Sequence, residues 1–313
     1  MKTAIKSIKI GYIRLKNNLF LAPMLGFTNF AFRELIQETA KISAFTEMIS
    51  INALSKDSNY CKDQLKINGE KNLFYQFFGN DEKKLNKSIE NILKHNEIKF
   101  INLNCGCPAA DIISQGAGSA LLKRESKICS MIKECKKEYN IPFTIKIRTG
   151  FDYPKHLNYE KLENNGLDAI FLHGRTKKQQ YSGKIDLNFI KETKELSNIP
   201  IIINGDIHNS KIIEDYYKKT NCDGFMIGRG ALKNPFIFEE LLTNKKNKSF
   251  EDKINFLDNY YKLLIKDTKM GFNEAKNLSM FICKDVSNAS VAREKISKVK
   301  TFSEIKAILK KLC

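Results

Sequence analysis

Eight short apolar segments recur between residues 19 and 230, and this repetition constrains the fold more than any other feature of the chain. Each segment spans at most eight residues, is rich in β-branched, aromatic or leucine residues, and is bounded by Gly, Pro, Asn or Asp, as β-strands are. The longer intervals show helical spacing, as in Asp81–His95 and Gly118–Tyr139. Repeated strand–helix units predict parallel strands joined by crossover helices, and eight of them favour an α/β fold, a closed (β/α)8 TIM barrel, over an open sheet. The predicted strands are Leu19–Met24, Ser43–Met48, Leu73–Gly79, Phe100–Cys107, Phe143–Thr149, Ala169–Arg175, Ile199–Asp206 and Gly224–Arg229.

The segments on either side of these strands are predicted to complete the architecture. Ile8–Leu15 alternates between apolar and polar residues, which predicts a small hairpin or cap that closes the barrel floor. Lys245–Lys248 is a polar linker, and helical spacing returns over residues 251–313. We therefore predict a TIM-barrel catalytic domain over residues 1–244 and a small C-terminal all-helical domain over residues 245–313.

The charge of the chain indicates the class of its partner. The formal net charge is +18, from 53 Lys and Arg against 35 Asp and Glu. So basic a balance favours a polyanionic partner, nucleic acid first, although a generally lysine-rich composition would produce the same excess. Hydrophobic residues make up 42% of the chain, which permits a sizeable core and argues against global disorder.

Targeting and cysteine patterns predict a cytoplasmic protein. No apolar run reaches the roughly 18 residues of a membrane span, and the N-terminus lacks the pattern of a signal peptide. The eight cysteines form no CxxC pair and no His cluster at zinc spacing. We expect reduced thiols, no metal, no membrane partner and a monomeric chain.

Two glycine-containing strand ends predict a phosphate site. Asn204–Asp206 ends the seventh predicted strand and Gly228–Arg229 the eighth, and the loops there commonly bind phosphate in a (β/α)8 barrel. Glycines let backbone N–H groups approach a phosphate, and Arg229 adds a charged fork. The alternative is a pair of tight turns beside a solvated arginine.

Three further strand ends carry polar groups suited to a flat ligand. Gln76, Lys146 and His173 end the third, fifth and sixth strands, so their side chains should converge at the barrel mouth. An amide, an ammonium and an imidazole could bind the polar edge of a heterocycle, and a cation near a flavin ring would stabilise its reduced form. Each residue alone has a structural alternative, such as a lysine that extends into solvent.

The most distinctive local pattern lies in Phe100–Lys123. A buried strand breaks at Gly106–Pro108 and is followed by a small-residue run, Gly116–Gly118, that is predicted to open a helix. A thiol held at a strand tip by a following proline is placed as a catalytic group would be. We expect Cys105 and Cys107 to point to opposite faces of the strand, with Cys105 in the core and Cys107 at the site.

Nine motifs along the chain occur in the order of one enzyme family. They are LAPMLGFTNFAFR at 21–33, FTEM at 45–48, YQFFG at 75–79, NLNCGCP at 102–108, GAGSALL at 116–122, IKIRTG at 145–150, HGRT at 173–176 with Tyr181 and Gly183, INGDI at 203–207 and IGRGALKNPFIF at 227–238. From Leu21 to about Phe238 the chain resembles the tRNA-dihydrouridine synthases, flavin-dependent reductases of uridine in tRNA.

The resemblance implies an FMN-binding barrel, a helical domain that helps to hold tRNA, and NADPH or NADH as electron donor. It implies that Cys107 is the proton donor and that Asn104, Arg148 and Arg175 lie near the substrate. The flavin contacts that it implies are Pro23, Met24, Leu25, Gln76, Lys146, His173, Asn204, Gly205, Asp206, Gly228 and Arg229.

On this hypothesis the chain reduces the C5=C6 bond of specific uridines to 5,6-dihydrouridine. After hydride adds at C6 a proton must reach C5, and a thiol with a pKa of about 8.5 is protonated at neutral pH yet gives its proton up readily. Two alternatives stay open. A small-molecule flavin oxidoreductase of the dihydroorotate dehydrogenase type is disfavoured by the charge and the helical domain. A catalytically silent tRNA-binding protein is disfavoured by Cys107, Lys146 and the phosphate loops.

Overall fold

A computed structural model of the chain describes residues 4–56, 61–245, 248–267 and 271–312. The strands are β1 Ile8–Ile10, β2 Ile13–Leu15, β3 Leu19–Leu21, β4 Ser43–Phe45, β5 Ile49–Ser50, β6 Leu73–Phe78, β7 Phe100–Cys105, β8 Phe143–Arg148, β9 Leu167–His173, β10 Ile201–Asn204 and β11 Gly224–Ile227. The helices are α1 Phe30–Thr39, α2 Ile51–Leu54, α3 Lys62–Leu65, α4 Glu82–Leu93, α5 Ala110–Ser114, α6 Glu125–Glu138, α7 Tyr159–Asn164, α8 Leu187–Glu195, α9 Ser210–Thr220, α10 Arg229–Lys233, α11 Ile237–Thr243, α12 Phe250–Asp267, α13 Gly271–Ile282, α14 Ala289–Lys298 and α15 Phe302–Lys310. Segments of 3-10 helix span Gly118–Lys123 and Cys283–Asp285.

Strands β3, β4 and β6 to β11 form a closed parallel barrel. Neighbouring strands pair in chain order, and the ring closes where β11 pairs with β3 and β4 pairs with β6. The short strand β5 extends β4 along the edge of β6. The predicted TIM barrel is thus confirmed, and each predicted strand overlaps an observed one. The first predicted strand, observed as β3, stops earlier than predicted because Pro23, which has no N–H, cannot continue the ladder of hydrogen bonds beyond Ala22.

The deep half of the barrel interior is filled by phenyl rings. Phe74 stacks on Phe45 and Phe100, with ring centroids 4.7 and 4.1 Å apart, and Phe20 meets Phe171 edge-on at 5.0 Å. Strands β1 and β2 form an antiparallel hairpin. Apolar residues of the hairpin join the same buried cluster, namely Ile8, Ile10 and Leu15. The hairpin therefore closes the barrel floor, as the alternation of its sequence predicts.

The C-terminal region is helical and packs against one side of the barrel. Phe32 on α1 meets Phe256 and Tyr260 on α12 edge-on, with centroids 5.7 and 6.2 Å apart. Asn29, the N-cap of α1, donates a hydrogen bond to the Tyr260 hydroxyl at 2.8 Å. The predicted helical region is confirmed. The boundary at residue 244 stays a prediction, and the linker residues 246 and 247 lie outside the described part of the chain.

Three further observations concern the described residues alone. Seven cysteines are described, and all seven are free thiols. Within those same ranges, no group of three or more His, Cys, Asp or Glu side chains has an arrangement that could hold a metal ion. No helix in them is both long enough and apolar enough to cross a bilayer.

Candidate active site

A cavity of about 1660 Å³ lies at the C-terminal ends of the barrel strands and extends towards the helical region. Its lining contains every predicted site residue except Arg175. These lining residues are Pro23, Met24, Leu25, Gln76, Asn104, Cys107, Lys146, Arg148, His173, Asn204, Gly205, Asp206, Gly228 and Arg229. The arrangement follows from the parallel barrel, in which all strands end at one rim.

A hydrogen-bonded row of polar side chains separates the cavity from the phenyl-filled floor. Asn104 Nδ2 donates to Gln76 Oε1 at 3.0 Å, and Gln76 Nε2 donates to Asn102 Oδ1 at 2.7 Å. Asn102 Nδ2 in turn donates to Thr144 Oγ1 at 2.8 Å. These groups are buried, and their mutual bonds satisfy them. The row fixes the Gln76 amide at the base of the cavity.

The side chains of Lys146 and His173 line the cavity, and neither has an anionic partner among the described residues. Within the described chain, the Lys146 ammonium has neither a hydrogen bond nor an ion pair, and burial, aided by nearby Arg148, lowers its pKa to about 7. Burial and then Lys146 lower the pKa of His173 well below its ordinary value, so this imidazole is neutral. The His173 Nε2 atom is buried and lacks a hydrogen-bond partner among the described residues. Both groups are therefore available to an anionic or hydrogen-bonding ligand.

The Cys107 thiol is held at the cavity wall by its backbone. Asn104 Oδ1 accepts hydrogen bonds from the N–H groups of Gly106 and Cys107 at 3.0 and 2.9 Å, and the Cys107 carbonyl accepts from Ser119 N–H at 3.0 Å. Gly118, with φ +58°, lies so close that a Cβ there would be 2.9 Å from that carbonyl. Burial raises the pKa of the Cys107 thiol, although Lys146 opposes this, so the group stays protonated at neutral pH.

The structure separates the two neighbouring thiols, but not for the reason predicted from the sequence. Residues two apart share a face of a regular strand, so strand alternation alone would not place the two thiols on opposite sides. Cys105 ends β7 and is completely buried among the helices outside the barrel. The strand stops there, and the turn held by Asn104 redirects Cys107 into the cavity.

The predicted phosphate loops come together at one side of the cavity. Gly205 has φ +128°, and a Cβ there would lie 2.3 Å from Ile185 Cδ1 and 3.1 Å from His173 Cδ2. Only glycine fits this position. The neighbouring Asn204 donates from Nδ2 to the Met226 carbonyl at 2.9 Å, which ties the end of β10 to β11.

The predicted arginines differ in what their guanidinium groups contact. Arg175 is buried behind the cavity wall, where it binds the Asp206 carboxylate at 2.5 Å and the Gly183 carbonyl. Arg229 donates to Oδ1 of the same carboxylate at 3.0 Å, an oxygen that also accepts from Arg175 at 3.1 Å, and keeps 44% of its side chain exposed. Arg148 donates to the carbonyls of Gly106, Thr176 and Gln180 at 2.7–3.0 Å. Arg148 and Arg175 thus hold loops in place, and their contact with substrate stays a prediction.

Sequence reasoning assigned no role to Asn102, Glu47 and Tyr181. Asn102 bonds both Gln76 and Thr144 in the buried polar row. Its position two residues before Asn104, on the same face of the strand, could have indicated this role. Glu47 accepts a hydrogen bond at 2.5 Å from Gly26 N–H and so supports the loop that carries Met24 and Leu25. The exposed Tyr181 ring lies 4.8 Å from the Arg229 guanidinium at the cavity mouth.

The chain is similar to known proteins in sequence and in fold. Residues 20–312 match the sequence model of the family described as dihydrouridine synthase (Dus). Over 250 residues the chain is 34% identical to the tRNA-dihydrouridine synthase B of Vibrio parahaemolyticus. The matched region covers 79% of this chain and 78% of that protein. The chain is 35% identical over 257 residues to the tRNA-dihydrouridine synthase B of Pasteurella multocida, with coverages of 79% and 76%.

Two solved structures share the fold. Histamine dehydrogenase from Rhizobium sp. 4-9 is similar with a TM-score of 0.56 and 15% identity, over 76% of this chain and 47% of that chain. Morphinone reductase in complex with tetrahydroNAD is similar with a TM-score of 0.55 and 10% identity, over 78% and 91%. At these identities the likeness supports the fold and nothing further.

Proposed function

The chain belongs to the dihydrouridine synthase family, and from that premise we propose that it reduces the C5=C6 bond of specific uridines in tRNA to 5,6-dihydrouridine. Bound FMN would be the redox cofactor, NADPH or NADH the electron donor, and Cys107 the proton donor. One observation carries the proposal: the Cys107 thiol, the Lys146 side chain, which has no anionic partner among the described residues, and the His173 imidazole with its unpartnered Nε2 line the same cavity.

The residues of the cavity fit FMN. Lys146, which lacks an anionic partner in the described chain, suits the electron-rich edge of the isoalloxazine ring, and the Gln76 amide, held by the polar row, lines the same cavity. The unsatisfied Nε2 of His173 offers a further hydrogen bond. Gly205 leaves room for close backbone approach at the phosphate end, and Arg229 supplies charge there. The full set of proposed contacts is Pro23, Met24, Leu25, Gln76, Lys146, His173, Asn204, Gly205, Asp206, Gly228 and Arg229.

Each side chain then has a defined task. FMN, when bound, supplies the hydride for C6 of the uracil. Negative charge develops towards C5 and O4 of the uracil, and the Cys107 thiol delivers the proton that C5 requires. Asn104 fixes the backbone from which that thiol projects. The Lys146 ammonium stabilises negative charge on the cofactor side of the cavity.

The proposed proton donor predicts a selective defect. Cys107→Ala should keep bound flavin and its reduction by NADPH, while the rate of dihydrouridine formation in tRNA falls by about 10²- to 10⁴-fold, because one general-acid group is lost. Cys105→Ala is the matched control and should stay active, since Cys105 faces the outer core. Flavin absorbance and mass spectrometry of nucleosides from treated tRNA report the two properties separately.

Three results would contradict parts of the proposal. Full activity of Cys107→Ala would reject this residue as the acid. A colourless wild-type protein that FMN cannot reconstitute would remove the flavoenzyme assignment. Unchanged dihydrouridine at every tRNA site in a deletion strain that has no redundant enzyme would remove the tRNA assignment.

A further inference from the structure

We propose that the loops after β8 and β9, together with the end of the 3-10 helix that follows Cys107, form an RNA-binding surface on the barrel itself. We call this surface the aromatic–lysine rim and define it by Lys123, Phe151, Tyr153, Lys177 and Lys178. It would hold unpaired nucleotides of tRNA that flank the reacting uridine. The inference rests on the proposed function and names a binding surface for its substrate outside the helical domain.

The rim combines aromatic faces with ammonium groups. The Phe151 ring lies between two lysines, with Lys123 Nζ 3.7 Å and Lys177 Nζ 4.7 Å from its centroid. Tyr153 keeps 69% of its surface exposed, a large exposure for an aromatic side chain. Stacking platforms beside backbone-neutralising cations are the combination with which proteins bind single-stranded nucleic acid.

The backbone of the rim is pre-organised. Lys177 N–H donates to the Gly150 carbonyl at 2.8 Å and Lys178 N–H donates to the Phe151 carbonyl at 3.0 Å, so the two loops are bonded main chain to main chain. A Cβ at Gly150 would lie 2.0 Å from the Tyr153 carbonyl oxygen, so only glycine permits the tight turn that presents Tyr153. A surface fixed before binding loses little entropy when it binds.

The rim is joined to the catalytic cavity through Arg148. That guanidinium bonds the carbonyl of Gly106, beside the reactive cysteine, and the carbonyls of Thr176 and Gln180 in the loop after β9. A groove of about 350 Å³ lies under Tyr153. Its lining is Asp152, Tyr153, Pro154, Thr176, Lys178, Gln179 and Asp186.

The chemistry favours RNA over an acidic peptide. Extrusion of one uridine leaves its neighbours unstacked, and unpaired bases are recognised by stacking on exposed aromatic rings. Lys123 is paired with Asp152 at 3.1 Å, so Lys177 and Lys178 carry the excess positive charge of the aromatic–lysine rim. Lys178 lines the same groove as Tyr153, and Lys177 lies over the Phe151 ring. An acidic peptide would use the lysines and leave the Tyr153 ring without a partner.

The test measures binding of unmodified tRNA to FMN-loaded protein by fluorescence anisotropy over a series of salt concentrations. Tyr153→Ala should weaken binding about tenfold, whereas Tyr153→Phe should bind like wild type, since stacking needs only the ring. Lys178→Ala should reduce the slope of log affinity against log salt concentration by roughly 0.7, because one phosphate contact to a single strand contributes that much. Flavin content and reduction by NADPH without tRNA should not change in any variant.

Matched controls lie at the opposite end of the barrel, on the floor hairpin. Tyr12 is 61% exposed there, and Lys9 is exposed on β1. Tyr12→Ala and Lys9→Ala should leave both affinity and salt dependence unchanged. An equal loss from the floor variants, or wild-type affinity in Tyr153→Ala, would overturn the inference.

The same preparations separate this inference from the proposed function. If wild type forms dihydrouridine while Tyr153→Ala binds tRNA normally, the rim assignment fails and the proposed function stands. If wild type forms no dihydrouridine in tRNA, the proposed function fails and the rim inference falls with it.

Discussion

The deep half and the mouth half of the barrel interior are built by the same strands from opposite chemistry. On β6, Phe74 faces the floor and Gln76, two residues later on the same face, joins the polar row. On β9 the same change from an apolar to a polar side chain occurs between Phe171 and His173. Because alternate residues of a strand share a face, one step of two residues turns a hydrophobic core into a binding site. Burial of rings stabilises the deep half, while the mouth half keeps polar groups poised for a ligand.

The largest effect should follow from opening the deep half. Phe74→Ala removes the ring that stacks on both Phe45 and Phe100, and the resulting cavity should lower the free energy of unfolding by about 3–5 kcal/mol. Denaturant unfolding measures this loss. Phe281→Ala, at the half-buried contact with Phe27, is the control and should cost less. A loss below about 1 kcal/mol for Phe74→Ala would mean that the ring stack is not the main support of the floor.

A smaller loss should follow where the two halves meet. Asn102→Ala removes the partner of Gln76 Nε2 and leaves that buried donor unsatisfied, which should cost about 2 kcal/mol of unfolding free energy. Flavin affinity should fall as well, because the Gln76 amide loses its fixed orientation. Equilibrium unfolding and flavin titration test both expectations. Unaltered stability would show that the row is not a coupled network.

The smallest effect concerns the charge at the mouth and depends on pH. The pKa of Lys146 is lowered from 10.5 to about 7, so between these pH values the unfolded chain binds more protons than the folded chain. Stability therefore rises with pH in this window. Relative to Lys146→Met, flavin-free wild type should gain about 1–2 kcal/mol of unfolding free energy between pH 7 and pH 9. Parallel pH profiles of the two proteins would contradict a desolvated Lys146.

The fold and many of the residues that line the cavity could be predicted because both depend on local sequence patterns. Alternation and apolar runs locate strands, and the rule that strand ends share a rim groups Gln76, Lys146 and His173 without any long-range information. The floor hairpin followed from alternation alone. Strand ends were less accurate, since the sequence shows apolar residues but not where the ladder bonds stop.

The detailed roles of side chains could not be predicted. A sequence does not distinguish an arginine that meets substrate from one that donates to loop carbonyls, as Arg148 does to Gly106 and Thr176. Nor does it show that Asn104 holds the Cys107 turn, because the turn exists only once the strand has ended. The separation of Cys105 from Cys107 depends on the same event.

The ring-filled floor also has a consequence for turnover on the proposed function. Phenyl rings and the hairpin lie beneath Lys146, so in the described barrel a ligand reaches this residue from the C-terminal ends of the strands. On the proposed function, the electron donor and the nucleic acid would take turns at this entrance, and each would leave before the other reacts. Initial rates measured against both reactants would accordingly give parallel double-reciprocal lines, the signature of a substituted-enzyme scheme.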